Sequence, residues 1–425
     1  MKINIIGGGL AGSEAALQIA KRGIEVDLYE MRPEKSTEAH KTDLFAEVVC
    51  SNSFGSMELK NPRGLLKEEA SSLGSILLQV ALRNKVPAGK ALAIDRERFS
   101  KEVTSLIFSS RYINVIRKEV DKIPDGITVI ATGPLTSASF LKALGKALET
   151  ENLYFYDAIS PIITAESLDM SRLFFGGRYG KGSDYLNAPL TEEEYEFFYD
   201  ALVNAEQHLP HNFERGHFFD ACLPVEEIAK RGKDSLRFGP LRPVGFDKKY
   251  FAVVQLRKEN IEGSLYELVG FQTSLRYGEQ ERVLRLIPGF CNAEFVRFGS
   301  IHKNAYIKSS ALLKSTLQLK KNSTVLIAGQ LSGVEGYVES IATGLLSGIN
   351  ATRIALKKDP ISIQRNTLLG SLIHFIVDNP LETPQPMRAN FGLIPEEFLK
   401  INKSVRREKF IEESKRQIES LKECL

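Results

Sequence analysis

The sequence predicts an α/β fold in which a Rossmann-like dinucleotide-binding domain is interrupted by an inserted α+β domain. A strand–glycine–helix–strand unit opens the chain, and a similar strand–glycine–helix pattern returns after residue 323. Between them, the sequence changes to aromatic clusters, short strand-like runs and many Gly and Pro turns. We therefore assign residues 1–161 and 300–425 to the first domain, with a helical C-terminal tail, and residues 162–299 to the insertion.

The composition is that of an ordinary globular protein. Of 425 residues, 43% are hydrophobic and 26% are charged. The sequence contains no apolar run of about 18 residues, so we expect no membrane-spanning segment. The four cysteines are scattered without a CxxC pair, which fits a reducing cytoplasm. The net charge is only +3, so a nucleic-acid partner would require local basic patches.

The N-terminal unit has the spacing of a dinucleotide-binding motif. Residues 2–6 resemble a buried strand, followed by Gly7-Gly8-Gly9-Leu10-Ala11-Gly12, a helix at 13–22 and a second strand ending in Glu30. The first motif glycine allows the tight turn, the second admits a pyrophosphate, and the third lets the helix pack on the strand. The helix N-terminus attracts the anion, and Glu30 can accept ribose hydroxyls. We therefore predict that Gly7 to Gly12 and Glu30 bind the cofactor.

Two later segments favour FAD over NAD. Thr128-Val129-Ile130-Ala131-Thr132-Gly133 is similar to the second motif of two-dinucleotide flavoproteins. Val325-Leu326-Ile327-Ala328-Gly329-Gln330 precedes a predicted helix from about Gly336, whose N-terminus can stabilise negative charge on a reduced flavin ring. The predicted fold is therefore an FAD-binding Rossmann-like domain of the glutathione-reductase type. Its further candidate FAD contacts are Gly133, Gly329, Gln330 and Gly333.

The chain has no second GxGxxG motif after a strand. The glycines of Gly176-Gly177-Arg178-Tyr179-Gly180 have the wrong spacing. We therefore expect no built-in NAD(P)H domain, so NADH or NADPH would dock transiently.

Several longer strings closely resemble the TrmFO family, the folate- and FAD-dependent tRNA (uracil-5-)-methyltransferases. The resemblance covers nearly the whole chain. The strings are Val48-Val49-Cys50-Ser51-Asn52-Ser53, Cys222-Leu223-Pro224-Val225-Glu226-Glu227, Arg237-Phe238-Gly239-Pro240, Arg242-Pro243-Val244-Gly245, residues 329–340, Gln385-Pro386-Met387 and Asn390-Phe391-Gly392-Leu393.

The resemblance implies a reaction. Methylenetetrahydrofolate supplies a one-carbon unit, reduced FAD carries it and supplies the hydride, and C5 of a T-loop uridine in tRNA becomes methylated. NADH or NADPH regenerates the reduced flavin, and no obligate protein partner is implied. One departure is visible: a Leu-Arg-Ser-like continuation is expected after Ser53, whereas this chain has Phe54-Gly55-Ser56, which removes a cation.

The resemblance also marks Cys50 and Cys222 as functional cysteines. A thiolate that adds to C6 of uracil makes C5 nucleophilic, so the cysteine should lie among cations or N–H groups. Cys50 lies in a polar loop, and Cys222 precedes a predicted helix start at Pro224. We expect one cysteine to attack C6 and the other to assist, and the sequence does not assign the two roles.

Other polar residues have competing interpretations. Glu226 or Glu227 could act as a base, although stabilising a helix N-terminus is the simpler role. His40 could orient flavin or folate, or could be a solvated loop residue. His208, His211 and His217 lack the spacing of a metal site, so no metal is predicted.

The target uridine must leave its stack to reach a buried flavin, so base flipping is implied. The main candidate phosphate contacts are Lys230, Arg231 and Lys233, which follow the Cys222 string. Further candidates are Arg242, Lys248-Lys249 and the tail around Arg406-Arg407. Three alternatives remain at this point: the same chemistry on ribosomal RNA, a flavin-dependent NAD(P)H oxidoreductase of a small molecule, and a non-catalytic RNA-binding scaffold.

Overall fold

A computed structural model of the chain describes residues 2–37, 39–149, 153–180, 182–208, 223–380, 386–423 and 425. The first segment contains β1 (Lys2–Ile6), α1 (Leu10–Lys21), β2 (Glu25–Glu30), β3 (Ser53–Ser56), α2 (Pro62–Ser72), α3 (Ile76–Arg83), β4 (Lys85–Val86), β5 (Ala91–Ile94), α4 (Arg96–Ser109), β6 (Ile113–Arg117), β7 (Thr128–Ile130), α5 (Ala138–Leu148) and β8 (Leu153–Ala158).

The middle segment contains β9 (Ile162–Thr164), β10 (Phe174–Phe175), β11 (Leu186–Leu190), α6 (Glu192–Val203), α7 (Val225–Ala229), α8 (Ser235–Phe238), β12 (Ala252–Lys258), β13 (Leu265–Leu268), α9 (Tyr277–Leu284) and β14 (Phe295–Arg297). The last segment contains β15 (Ile301–Tyr306), α10 (Ser309–Leu312), β16 (Val325–Ile327), α11 (Tyr337–Ala355), α12 (Leu368–Asp378), α13 (Glu396–Leu399) and α14 (Lys403–Lys422).

A five-stranded parallel sheet organises the first domain, in the order β16-β7-β1-β2-β6. Strands β7 and β16 are buried throughout, which explains their continuous apolar runs, whereas β2 alternates between buried and more exposed residues. Because the strands are parallel, β1, β7 and β16 end at the same edge, where this fold binds its ligand. The sheet confirms the predicted α/β Rossmann-like fold.

Helices α1 and α11 lie against each other at a pair of glycines. A Cβ atom on Gly344 would lie 2.3 Å from the carbonyl oxygen of Ala11, and one on Gly348 would lie 2.9 Å from Cα of Ala15. The two backbones therefore approach closely. This contact fixes the N-terminus of α1 beside the N-terminal part of α11.

The apolar periodic run at residues 65–82 is divided between two helices, α2 and α3. Gly74 adopts a φ of +88°, which ends the first helix. The hydroxyl of Ser75 accepts a hydrogen bond from the amide of Leu78 and caps the second helix. A glycine inside an apolar periodic run is the signal for this break.

The middle segment forms a separate antiparallel sheet, in the order β10-β11-β12-β13-β9-β14. It has its own core, with the aromatic side chains of Tyr195, Phe198, Phe271 and Phe290 fully buried. The two chain connections to this unit, β8 and β15, pair antiparallel, with Ala158 opposite Ile301.

The C-terminal helix α14 packs against α2. Ser414 on α14 donates a hydrogen bond to the buried carboxylate of Glu69, which also accepts from the first amides of α12. The tail is therefore part of the first domain's core. Within the described ranges, no helix has both the length and the apolar character needed to cross a bilayer.

Candidate functional site

A cleft with about 1020 Å³ of empty space opens at the carboxyl edge of the parallel sheet. Nearly all of the predicted cofactor residues line it. They are Gly7, Gly8, Gly9, Leu10, Ala11, Glu30, Gly133, Gly329 and Gln330.

The glycines of the first motif divide into two kinds. A Cβ atom on Gly12 would lie 1.8 Å from the carbonyl oxygen of Gly7, so this glycine is required by packing within the protein. A Cβ atom on Gly9 or on Gly133 would meet nothing within 4 Å. These two positions border the open space that a dinucleotide would fill, and the cleft therefore fits FAD.

Two of the predicted cofactor residues do not line the cleft. Gly12 lies beneath the turn, and its role is to let α1 approach β1. Gly333 adopts a φ of +85° and its carbonyl accepts a hydrogen bond from the amide of Met387 at 2.9 Å. Both glycines shape the backbone around the cleft without facing it.

Glu30 is positioned by its own loop. Its carboxylate accepts hydrogen bonds from the amide of Gly8 at 2.8 Å and from the guanidinium of Arg32 at 3.0 Å. Burial alone would raise the pKa of Glu30, but the charge of Arg32 and the hydrogen bonds from Arg32 and Gly8 together outweigh burial and lower it. The carboxylate is therefore ionised and available as an acceptor at the ribose position.

A second cavity, with about 1180 Å³ of empty space, adjoins the first and contains Cys50. The two cavities share a wall formed by Val49, Pro134, Leu135, Gln330 and Tyr337. The predicted helix from about Gly336 is present as α11, and its first residue, Tyr337, stands in this wall. A flavin ring at the inner end of the cleft would therefore face the Cys50 cavity.

The Cys50 loop is held on both sides of its backbone. The hydroxyl of Tyr337 accepts hydrogen bonds from the amides of Cys50 at 2.8 Å and Ser51 at 3.1 Å. Arg96 and Arg297 each donate to the carbonyl oxygen of Cys50 at 2.8 Å. Arg96 also donates to the carbonyl of Val48 at 2.9 Å. Two guanidinium groups thus converge on this loop.

The electrostatics of this loop favour an anionic sulfur. Burial and the neighbouring Arg96 lower the pKa of Arg297 to about 10, so it remains a cation near neutral pH, and it interacts with the Cys50 thiol. Burial, followed by the Cys50 thiol, raises the pKa of Tyr337 well above its ordinary value of about 10, so its hydroxyl stays neutral. A thiolate at Cys50 would be stabilised by this setting.

Residues of the insertion support the same loop from behind. Arg257 on β12 donates to the side chain of Asn52 at 2.7 Å and to the hydroxyl of Ser51 at 2.6 Å, and it is ion-paired with the buried Glu267. Arg96 is paired with Glu259 of the insertion at 2.5 Å. Sequence reasoning missed Arg96, Arg257, Arg297 and Tyr337. For Arg257, a charged residue inside an apolar strand was the available signal.

Two of the strings that suggested the family resemblance, residues 48–53 and 329–340, meet around this cavity. The segment after Gly329 pairs with Met387, because the amide of Glu335 donates to its carbonyl at 2.9 Å. Arg388 lines the Cys50 cavity and is paired with Glu335 at 3.2 Å. Gln385 lies outside the described residues.

The cation missing from the Cys50 loop has a counterpart on α2. Gly55 has a φ of +77°, and a Cβ atom there would lie 2.4 Å from Cδ of Arg63. Arg63 therefore crosses the space beside Gly55, and it also lines the cavity. Phe54 packs edge-on against Tyr337, with ring centroids 5.5 Å apart.

Cys222 lies outside the described residues, as do His211 and His217. The nearby Glu226 is buried and accepts hydrogen bonds from the hydroxyl of Thr273 at 2.8 Å and the amide of Ser274 at 2.6 Å. Burial raises the pKa of Glu226. Its contacts give it the structural role of anchoring the segment before α9. Among the described residues, no three His, Cys, Asp or Glu side chains are grouped for metal binding.

His40 lines the dinucleotide cleft, where its Nδ1 lies 2.7 Å from the hydroxyl of Thr37. Burial and the charge of Arg32 lower the pKa of His40 to about 4, so the ring is neutral near pH 7. Of its two interpretations, the contact with the cleft favours orienting a bound cofactor.

The three candidate RNA contacts differ in their surroundings. Lys230 is ion-paired with Glu227 at 2.6 Å, and Lys233 is ion-paired with Glu196. Arg231 is exposed, and no described carboxylate forms an ion pair with it. All three side chains are exposed and could reach a phosphate, but only Arg231 keeps an uncompensated charge.

Comparisons with known proteins agree with this geometry. A family model described as glucose inhibited division protein A matches residues 2–359. The methylenetetrahydrofolate--tRNA-(uracil-5-)-methyltransferase TrmFO of Moorella thermoacetica is 56% identical over 93% of this chain and 92% of that protein. The TrmFO of Carboxydothermus hydrogenoformans is 52% identical over 100% of this chain and 99% of that protein.

Solved structures show the same fold at lower identity. Aquifex aeolicus GidA superposes with a TM-score of 0.71 and 17% identity, over 99% of this chain and 73% of that one. A second crystal form of that protein gives a TM-score of 0.70.

Proposed function

The chain belongs to the TrmFO family, and from that membership and the shared wall of the two cavities we propose that it methylates C5 of a T-loop uridine in tRNA. Methylenetetrahydrofolate is the one-carbon donor, and FAD is the bound cofactor. The observation that carries the proposal is the position of Cys50. It lies in a cavity that adjoins the dinucleotide cleft and shares the lining residues Val49, Gln330 and Tyr337 with it. The nucleophile and the flavin ring would therefore lie on either side of the residues that the two cavities share.

The reaction needs an activated C5, because uracil C5 is a poor nucleophile. A thiolate adds to C6, and the electron pair of the C5–C6 bond then forms a bond from C5 to the methylene carbon. A base then takes the C5 proton while the bond from the methylene carbon to the nitrogen that carried it breaks, which leaves an exocyclic methylene at C5. A hydride adds to this methylene to complete the methyl group, and the electron pair that re-forms the C5–C6 double bond expels the thiolate. FAD, when bound and reduced with NADH or NADPH, would supply the hydride and carry the one-carbon unit.

The chain's own residues prepare the nucleophile. Arg96 and Arg297 hold the carbonyl of Cys50, and the positive charge of Arg297 also interacts with its thiol. Tyr337 accepts from the amide and so fixes the backbone from which the thiol projects. Cys50 and Cys222 are the two catalytic cysteines of this proposal, one adding to C6 and the other assisting.

The test is methylation by the FAD-loaded protein, with methylenetetrahydrofolate labelled in its one-carbon unit, NADPH and an unmodified tRNA transcript. We expect label in 5-methyluridine of the T-loop. A ribosomal RNA fragment is tested in parallel. Label in that fragment alone would mean that ribosomal RNA, and not tRNA, is the substrate. NADPH oxidation without label in either RNA would indicate a small-molecule oxidoreductase.

Cysteine variants separate the roles. Cys50→Ala and Cys222→Ala should each lose methylation, whereas Cys291→Ala, at an exposed thiol of the insertion, should retain it. A tRNA carrying 5-fluorouridine would trap the C6 adduct, since fluorine cannot leave as a proton. The cysteine whose removal abolishes the trapped complex is the nucleophile. Full methylation by both variants would contradict the covalent scheme.

A further inference from the structure

The insertion carries an exposed phenylalanine in a segment that is rich in cations. Phe238 ends α8 with 84% of its surface exposed. It lines a shallow groove together with Arg231. The backbone turns directly after it, since the amide of Arg242 donates to the carbonyl of Gly239. Single exposed aromatic residues are common, so the charge around this one is decisive.

Positive charge is concentrated in this segment. Residues 230–249 contain seven Lys or Arg and two Asp, whereas the whole chain has 56 basic and 53 acidic residues. Asp234 is paired with Arg237 at 2.7 Å. Among the described residues, no ion pair neutralises the remaining exposed cations of the segment, which are Arg231, Arg242, Lys248 and Lys249.

A second exposed phenylalanine of the same domain has the opposite surroundings. Phe197 lies on α6 and is 67% exposed. Helix α6 reads EEEYEFFYDALV, with five carboxylates and no cation. Phe197 is therefore flanked by carboxylates along its helix, whereas Phe238 lies in a segment with an excess of cations. A polyanion would be repelled by the first and attracted by the second.

The basic surface lies within reach of the Cys50 loop. The guanidinium of Arg237 stacks 3.8 Å from the ring centre of Phe251, which precedes β12. At the other end of β12, Arg257 contacts Ser51 and Asn52. A strand of this length spans roughly 20 Å, at about 3.4 Å per residue. A nucleic-acid arm that delivers one flipped base to the Cys50 cavity would pass over the insertion at this distance.

We propose that Arg231, Phe238, Arg242, Lys248 and Lys249, here called the basic–aromatic surface, bind the RNA outside the target uridine. The cations contact phosphates, and Phe238 stacks on an unpaired base. This deepens the proposed function and rests on it for the identity of the RNA. It also shifts the expected contacts, because the paired Lys230 and Lys233 contribute less than Arg231.

Two variants test the surface, each with a matched control. The first, Arg231→Gln/Arg242→Gln/Lys248→Gln, removes three charges, and its control removes three exposed lysines of the other domain, Lys101→Gln/Lys409→Gln/Lys415→Gln. The second is Phe238→Ala, with Phe197→Ala as its control. Binding of an unmodified tRNA transcript is measured by fluorescence anisotropy over a range of KCl concentrations.

The charge variant should raise Kd at least 10-fold and reduce the slope of log K against log salt by about two, because each lost phosphate contact removes about 0.7–0.9 from it. Phe238→Ala should raise Kd about 5-fold or more with the slope unchanged. Both controls should bind like the wild type. An equal loss of tRNA affinity in variant and control would contradict the proposal that this surface binds RNA. An unchanged Kd and slope in both test variants would contradict it as well.

The two proposals fail separately. FAD content and NADPH oxidation without RNA report an intact first domain in every variant. If the wild type methylates tRNA and the variants bind tRNA with unchanged affinity, the proposed RNA surface would be wrong while the proposed function would stand. Preferential binding of the wild type to anionic phospholipid vesicles, lost in the same variants while tRNA binding persists, would assign the surface to membranes and overturn the RNA proposal.

Discussion

The hydroxyl of Tyr337 lies 2.8 Å from the amide nitrogen of Cys50, although the two residues are 287 positions apart in the sequence. Tyr337 is the first residue of α11, and α11 packs along α1, the helix of the glycine motif. The helix pair that forms the dinucleotide cleft therefore also holds the cysteine loop. Cofactor binding and nucleophile placement are mechanically connected through one side chain.

Tyr337→Phe should slow methylation without removing the cofactor. The amides of Cys50 and Ser51 would lose their acceptor, and a buried unsatisfied donor costs about 1–3 kcal/mol. We expect the loop to loosen and the single-turnover rate to fall about 10-fold, a loss of about 1.4 kcal/mol in the barrier. Tyr199→Phe, which removes a hydroxyl bonded to Ala229, is the control. An unchanged rate with normal FAD content would contradict this role.

Gly9→Ala and Gly12→Ala should fail in different ways. A methyl group on Gly9 meets no protein atom within 4 Å, and its φ of −74° suits alanine. The apoprotein should keep its thermal midpoint while its Kd for FAD rises about 10-fold or more, since the added carbon occupies the pyrophosphate approach. Gly12→Ala places Cβ 1.8 Å from the oxygen of Gly7 and should destabilise folding itself. Wild-type FAD affinity in Gly9→Ala would show that the cofactor lies elsewhere.

The sequence was sufficient for the dinucleotide cleft because its determinants are local. The glycine loop, α1 and Glu30 lie within 30 residues, and the spacing alone specifies strand, turn and helix. The support of Cys50 is not local. Arg297 reaches its carbonyl from 247 positions away, and Arg257 reaches Asn52 from 205. No periodicity or motif spacing contains such a contact.

Charge patterns show the same limit. Lys230, Arg231 and Lys233 are equivalent in the sequence, yet two of them are paired with Glu227 and Glu196. Glu196 lies on α6, so its pairing with Lys233 depends on how two helices pack. A basic run therefore predicts where a polyanion could bind, but folding decides which of its charges remain uncompensated.

Glu69→Gln should flatten the pH dependence of stability between about pH 4.5 and 7. Burial raises the pKa of Glu69 from 4.5 to about 7. In that window the folded state keeps a proton that the unfolded chain has released, so the free energy of unfolding decreases as pH rises and levels off above pH 7. The difference corresponds to about 3 kcal/mol.

The measurement is urea unfolding of the wild type and the variant at several pH values, with Glu68→Gln as the control. Glu68 is the exposed neighbour on the same helix. The quantity of interest is the difference between the curves, because other buried carboxylates such as Glu259 also titrate. Parallel curves for wild type and Glu69→Gln would show that Glu69 does not retain its proton.

Arg257→Lys should separate nucleophile placement from cofactor binding. Lysine keeps the charge opposite the buried Glu267, but it cannot reproduce the fork that reaches both Ser51 and Asn52. We expect slower methylation with unchanged FAD content and unchanged reduction of the flavin by NADPH, because Arg257 does not line the dinucleotide cleft.

Arg257→Met would in addition leave Glu267 unpaired, with a stability loss of about 3–5 kcal/mol. Arg282→Lys, at an exposed pair with Glu279, is the control. If Arg257→Lys methylated tRNA at the wild-type rate, the insertion would support the fold of the loop but not its chemistry.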